Sequence, residues 1–595
     1  MTREELIRIL EFADVTQGIA RDRTALAQID PRWNIIRYCL QRHLEGKRAT
    51  ITSLASASGV PYGTAMRRIQ ELFDEGLLHK RPRSKTGKSF SLHPTRKLIA
   101  EFQSFAGLIK EHVGNTFGFS TEESGLSDFY FGGSYMAPKI LSFPGAMRVG
   151  VGYERDFRIL CPSDPTFKSL SHYSRNLNEL CGGTLDFVNL TNDELHAELL
   201  HNRQREVSKY DIVSFDLPWI GELAEKDIVA PLNDIIQRER YNASDFHTAA
   251  WKGSRYNQTQ YGIPIQPTAE LLFYRTDLFA EVGLAPPAST NDVLHAAKRL
   301  HGSKPGLAGI VMNYGRGTPV AHTFVQTLAA FGRPIINLQP LGDDFDLDNI
   351  PAESFQPAIE TDAGIAAATY LMSLLEVAHP DSLKCNWDRR IALFAGGGAA
   401  MSYGWSIRSA AFELDEAAPA HGKVDFLPHP CGPGARSVSP IGGFSLGIPS
   451  NLPAKRTGTA WKVIEYLTRP ELMKWYVQNG NLTSPRFSTS ADPEVRSFSK
   501  IIQRVDAMER AGQLQNWPRP PVPEFSEILE VLGEEIHDML LGASTVENAL
   551  GSAQQRVERI LAGRRQARAN PKKAPDRASA EAGLSMKENG RSERI

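Results

Sequence analysis

Near residue 148 the pattern of this chain changes. Before it, apolar residues recur mostly at helical spacing; after it, short apolar runs alternate with amphipathic helical segments. Strands alternating with helices mark an α/β layer, whereas a run of helices closed by a hairpin marks a separate unit. Single cores stop growing near about 250–300 residues. The chain has 595 residues, so one core cannot serve both patterns.

Charge divides the chain in the same sense. The whole carries a formal net charge of −1, but Arg32 to Lys97 holds 14 Lys and Arg against 4 Asp and Glu. A basic head on an acidic body points to an anionic partner for the head. The first residues, MTREELIRILEFADV, are charged from Arg3 onward and contain no apolar signal core. No apolar run approaches the roughly 20 residues of a membrane helix. Cys39, Cys161, Cys181, Cys385 and Cys431 are scattered and odd in number, which fits reduced thiols. The expectation is a cytoplasmic chain with no membrane insertion.

In the basic head, residues 4–29 read as a helix, and Pro31 interrupts it. Residues 31–45 place Trp33, Ile36, Leu40 and Leu44 on one face, and Gly46 ends that helix. Thr50 or Thr52 caps a short helix. Residues 64–76 form another, with Ala65, Ile69, Leu72 and Phe73 inward. Two strand-like pieces follow around Ser84-Lys85-Thr86-Gly87. With LASASGVPYGTAMRRIQEL at 54–72 and GLL at 76–78, this stretch resembles the MarR/IclR-like winged helix-turn-helix regulators. The resemblance implies double-stranded DNA as partner, a homodimer on a palindromic operator, and a helix in the major groove. Tyr62, Thr64, Arg67 and Arg68 would then meet the groove, and Arg81, Arg83, Lys85 and Lys88 the phosphates. Residues 95–117 read as a connecting helix and 118–147 as a linker.

In the body, Phe157–Cys161, Thr184–Leu190 and Tyr210–Phe215 read as strands. Lys168–Leu180 reads as one helix. The stretch YGIPIQPTAELLFYRTDLFAEVGL at 261–284 reads as a strand over 269–274, a turn capped by Thr276 or Asp277, and a short helix. Several segments resemble, in order, the extracellular solute-binding proteins of family 1, the ABC-transporter sugar-binding type. They are YDIVSFDLPWIGELAEKDIVAPLNDII, this stretch, ALFAGGGAAMSYGWS, PIGGFSLGIPSN, NLTSPR and the helices of 519–561.

That resemblance implies a two-lobed α/β periplasmic-binding-protein-like (type II) fold over 148–563, behind a winged helix-turn-helix domain over 1–94. Residues 95–147 connect the two, and 564–595 read as a disordered basic tail. Sugar recognition needs aromatic faces and fixed polar groups at strand ends. The residues expected to contact solute are Ser163, Asp164, Asp216, Trp219, Gln266, Thr268, Glu270, Asn313, Tyr314, Trp405, Gly443, Phe444 and Arg486. Trp387 is expected in the core, and Asp211 is expected buried and structural.

Other chemistry finds no support in the sequence. Gly396-Gly397-Gly398 lacks the Lys-Ser/Thr of a phosphate loop. His421, His429 and Cys431 fit no standard metal spacing, and no catalytic triad can be assembled. The expectation is no enzyme, no cofactor and no metal. The reading is a ligand-responsive transcription regulator that binds a small solute, a sugar or oligosaccharide. Its rival is a substrate-binding component of an ABC sugar transporter with an added N-terminal domain, delivering solute to a permease.

Overall fold

The computed structural model describes residues 30–45, 47–82, 90–117, 119–121, 126–130, 147 and 157–569 except 343, with some positions between 6 and 14. Side chains are described to 106 in the connecting helix and to 566 at the C-terminal end.

In the basic head, helical positions among residues 6–14 bring Leu6 and Leu10 into the core, and a helix over Pro31–Leu44 follows. Asp30 caps it, accepting from the Arg32 amide at 2.9 Å, and Pro31 opens it, where no amide hydrogen is needed. Thr50, not Thr52, caps the next helix, Ile51–Ala57, in a reciprocal box with Ser53. A third helix, Tyr62–Asp74, buries Ala65, Ile69 and Leu72. Strands β1 (Leu78–Pro82) and β2 (Phe90–Pro94) pair antiparallel behind it. Ile35, Leu54, Ile69, Leu72, Leu92 and Phe102 share one core. A helix over Arg96–Phe117 leads out of the head. In the stretch read as a linker, β3 (Phe119–Thr121) and β4 (Leu126–Tyr130) pair antiparallel.

The body is organised by one sheet. Strands β5 (Phe157–Pro162), β6 (Leu185–Leu190) and β7 (Ile212–Asp216) are parallel. Strand β8 (Ile263–Arg275) follows, then β9 (Met401–Trp405), β10 (Val424–Leu427), β11 (Ser439–Gly447) and the short β12 (Leu514–Gln515). The order across the sheet is β9–β8–β11–β7–β5–β6, with β10 also on β8 and β12 on β11. The strand expected over 269–274 is thus 13 residues long, and every one of them is buried.

Strand β8 serves two lobes. Its first half, Ile263 to Ala269, pairs with β11; its second half, Glu270 to Arg275, pairs with β9 and β10. A register shift between Pro264 and Gln266 accommodates prolines that cannot donate to the ladder. At its end neither Thr276 nor Asp277 caps the helix over Thr276–Glu281. Asp277 instead pairs with Arg275 at 2.6 Å.

The first lobe has a core of Phe157, Leu160, Phe215, Ile263, Trp461 and their neighbours. The second is built on Leu272, Phe324, Leu371, Met401 and Leu532. Asp211 is fully buried, accepting from the Arg158 amide at 2.9 Å and pairing with Arg456, as expected of a structural carboxylate. The helix expected over 168–180 is two, Pro165–His172 and Ser174–Cys181, broken at Tyr173. The last helix runs from Val546 to Ala569, past the expected start of a tail. There Arg564 reaches Glu524 at 2.7 Å and also pairs with Glu225 of the first lobe. All five cysteines are free. Among the described residues no helix is long and apolar enough to cross a membrane, and no group of acidic, His or Cys side chains is placed to hold a metal.

Candidate functional site

A cleft of about 700 Å³ opens between the lobes where the parallel strands end. Ser163 and Asp164 follow β5, Asp216 ends β7, and Gln266 and Thr268 lie in β8. Trp405 ends β9, and Gly443 and Phe444 lie in β11. The carboxyl ends of strands at a change in sheet order are where α/β proteins bind ligands.

The floor is fixed by hydrogen bonds between β8 and the turn after β9. Thr268 Oγ1 accepts from the Ile407 amide at 3.2 Å, and Ser406 Oγ accepts from the Ala269 amide at 3.1 Å. Gly443 adopts φ +97°, and a Cβ there would stand 1.8 Å from the Gln266 carbonyl oxygen, so only glycine fits.

Charged groups ring this floor in matched numbers. Lys168, Arg316, Arg408 and Arg519 face Asp164, Asp193, Asp216 and Asp388. Asp164 accepts from Gln266 Nε2 at 3.1 Å and lies 3.6 Å from Arg408 of the opposite lobe. Burial pushes its carboxyl above the usual range, and Arg408 opposes that shift. Asp216 behaves likewise: burial raises it and Arg519, 2.9 Å away, draws it back. Burial holds His322 neutral, far below its ordinary value, and Arg519 adds to the effect. Gln266 Oε1, His322 Nδ1, Arg408 Nε and Arg519 Nε are buried without a protein partner. A polar ligand or water satisfies such atoms.

Of the expected contacts, Ser163, Asp164, Asp216, Gln266, Thr268, Trp405, Gly443 and Phe444 line the cleft. The others do not. Trp219 packs on the first-lobe core, its ring 4.9 Å from that of His196. Glu270 lines a separate small chamber and pairs with Arg390 at 3.0 Å. Asn313 is buried, its amide nitrogen reaching the Cys385 and Asn386 carbonyls in the orientation that satisfies it. Tyr314 is fully buried and donates to the Leu371 carbonyl at 2.9 Å. Arg486 is a structural knot, bonded to Thr468, Asp245 and Tyr241.

Sequence reasoning missed Lys168, Arg316, His322, Arg408 and Arg519, and placed Trp387 in the core. Trp387 opens the helix Trp387–Ala395 half-exposed at the cleft. Arg519 sits between two prolines in Trp-Pro-Arg-Pro-Pro, a rigid setting that was the available signal.

In the basic head, Tyr62 is 60% exposed, Arg67 is exposed, Thr64 is half-buried, and Arg68 pairs with Glu71 at 2.8 Å. Arg81 is exposed and donates to His79 at 3.0 Å. Arg83, Lys85 and Lys88 lie outside the described residues.

Residues 183–474 match the model of the bacterial extracellular solute-binding protein family. A probable amino-acid ABC transporter periplasmic-binding protein of Sinorhizobium fredii is 21% identical over 412 residues, 68% of this chain and 89% of that one. A solute-binding protein of Agrobacterium radiobacter solved with ribitol is 23% identical with a TM-score of 0.62, covering 68% of this chain and 99% of that chain. Maltose-bound MalE3 of T. maritima is 18% identical with a TM-score of 0.59, over 68% and 99%. These likenesses show the two-lobed α/β fold of periplasmic binding proteins. They also overturn the cytoplasmic expectation, because the matching family is extracellular and the curated relative is periplasmic. The family match begins at residue 183 and does not reach the basic head.

Proposed function

We propose that this chain is a solute-binding protein of the ABC sugar-transporter type, and that its interlobe cleft takes a neutral polyhydroxylated solute. The observation that carries this is the matched charge of the cleft, four cations to four carboxylates, beside Trp387 and Trp405. Hydroxyls use carboxylate acceptors and guanidinium donors together. Indole faces take the apolar face of a sugar ring. The solved relatives with ribitol and maltose hold ligands of this class. Thermal shift and calorimetry with ribitol, D-mannitol, D-tagatose, maltose and a set of amino acids test it. A stabilising shift with a polyol or sugar is expected. Stabilisation by amino acids alone would overturn the class.

A second reading rests on the basic head. Exposed Tyr62 and Arg67 lie on one helix, followed by a hairpin carrying Lys80 and Arg81. On this reading the head, as a homodimer, binds double-stranded DNA and reports solute capture. Replacing Arg67 and Arg81 with Ala should flatten the salt dependence of binding to duplex DNA. An unchanged slope, or no duplex binding by the intact chain, would remove the reading.

A further inference from the structure

Arg519 lies under the cleft floor, 6% exposed, and reaches it from a segment after β12. Its Nη2 donates to an Asp216 oxygen at 2.9 Å. Its guanidinium carbon stands 5.3 Å from the centroid of the Trp405 ring. Space for this comes from Gly442. A Cβ there would lie 2.2 Å from Arg519 Nη1 and 2.9 Å from the Trp405 ring. Pro518 and Pro520 flank the arginine, and its amide donates to Asn516 at 2.9 Å, so the backbone that delivers it is stiff. Asp216 belongs to the first lobe and Trp405 to the second; Arg519 touches both.

Resting on the solute-binding reading above, we propose that Arg519 is the specificity-determining positioning residue of the cleft. It holds the Asp216 carboxylate and the Trp405 ring as one ligand-facing unit that accepts hydroxyl hydrogens. A planar, permanently charged group does both tasks at once; an ammonium supplies the charge without the flat face. Without Arg519 the buried Asp216 loses its counter-ion, so burial raises its carboxyl further and favours the protonated form, turning an acceptor into a donor. The other titratable and charged groups of the cleft are Asp164 and Lys168 beyond β5, Asp193, Arg316, His322, Asp388 and Arg408, with Glu270 in the adjoining chamber.

The test compares the full chain with R519Q, R519K, D216N and the D216N/R519Q pair. Affinity for ribitol, D-mannitol and maltose is measured from pH 5 to 8. The unaltered chain should keep a constant affinity. R519Q should lose at least tenfold and fall further as the pH drops. R519K should recover the flat pH profile but not the full affinity. The paired variant should lose less than the two single losses combined. A ligand-free arm follows tryptophan fluorescence over the same pH range. R519Q should show a titration that the unaltered chain and the paired variant lack. R519Q with unaltered affinity and profile, or with no titration in the ligand-free arm, overturns the inference. Failure of the unaltered chain to bind any of the three solutes overturns the proposed function instead, and the fluorescence arm then decides whether Arg519 governs Asp216.

Discussion

Glu270 and Arg390 pair at 3.0 Å with their side chains 1% and 2% exposed, joining strand β8 to the helix that presents Trp387 to the cleft. Breaking such a pair on one side costs about 3–5 kcal/mol, because the other charge stays buried alone. Arg390→Met should therefore lower unfolding free energy in urea by about that amount at pH 8. Burial already raises the Glu270 carboxyl in the intact chain, with Arg390 opposing. A raised folded value means the cost is absent below the ordinary carboxyl range and grows as the pH rises through it. The defect should thus shrink toward pH 5. A pH-independent defect would show that the pair is not the cause.

Gly443→Ala should disrupt the cleft, because φ +97° and the 1.8 Å approach to the Gln266 carbonyl leave no room for a Cβ. A loss of more than about 2 kcal/mol in chemical unfolding is expected from strain of this kind. Gly458 makes the matched control. It lies within the helix Ala454–Leu467 with nothing within 4 Å of an added Cβ. Gly458→Ala should stabilise by about 0.5–1 kcal/mol.

Three tryptophans separate geometry from pattern. Trp405→Ala and Trp387→Ala should each weaken solute binding several-fold to about tenfold, since an aromatic face contributes about 0.5–1.5 kcal/mol beyond the area it buries. Trp219→Ala should leave affinity unaltered, because that ring packs beside His196 on the first-lobe core. Calorimetry on the three variants checks this.

Arg564→Ala should cost about 1–2 kcal/mol, the value of charge-assisted hydrogen bonds at a partly exposed site. Arg564 ties the last helix both to Glu524 and to Glu225 of the other lobe. Thermal unfolding at low and high salt reads it, with a smaller effect at high salt.

Much of the body was legible because its strands are short apolar runs that end in polar residues. Asp216 could be placed at a strand end from that pattern, and Trp405 from the resemblance carried by ALFAGGGAAMSYGWS. Glu270 was misplaced because alternation puts it on the same face as Gln266 and Thr268 but cannot say where along β8 the cleft ends and the second lobe begins. Asn313 and Tyr314 follow a segment that pairs only through single bridges, so no strand end exists there to aim them. Arg408 comes from a single 3-10 turn, Ser406–Ser409, and Arg519 from an irregular segment, both too short to carry a period. Their roles depend on partners far off in sequence, such as Asp216 for Arg519.

Strand β8 also sets an order for synthesis. It emerges from the ribosome before β9, β10 and β11, the strands that flank it. At about 5–20 residues per second, the wait for β11 is on the order of ten seconds. During that wait the first half of this apolar strand keeps an edge unpaired, even after β9 and β10 are made. The nascent chain therefore carries an unpaired apolar edge through this interval, and chaperone demand should rise between translation of residues 275 and 439.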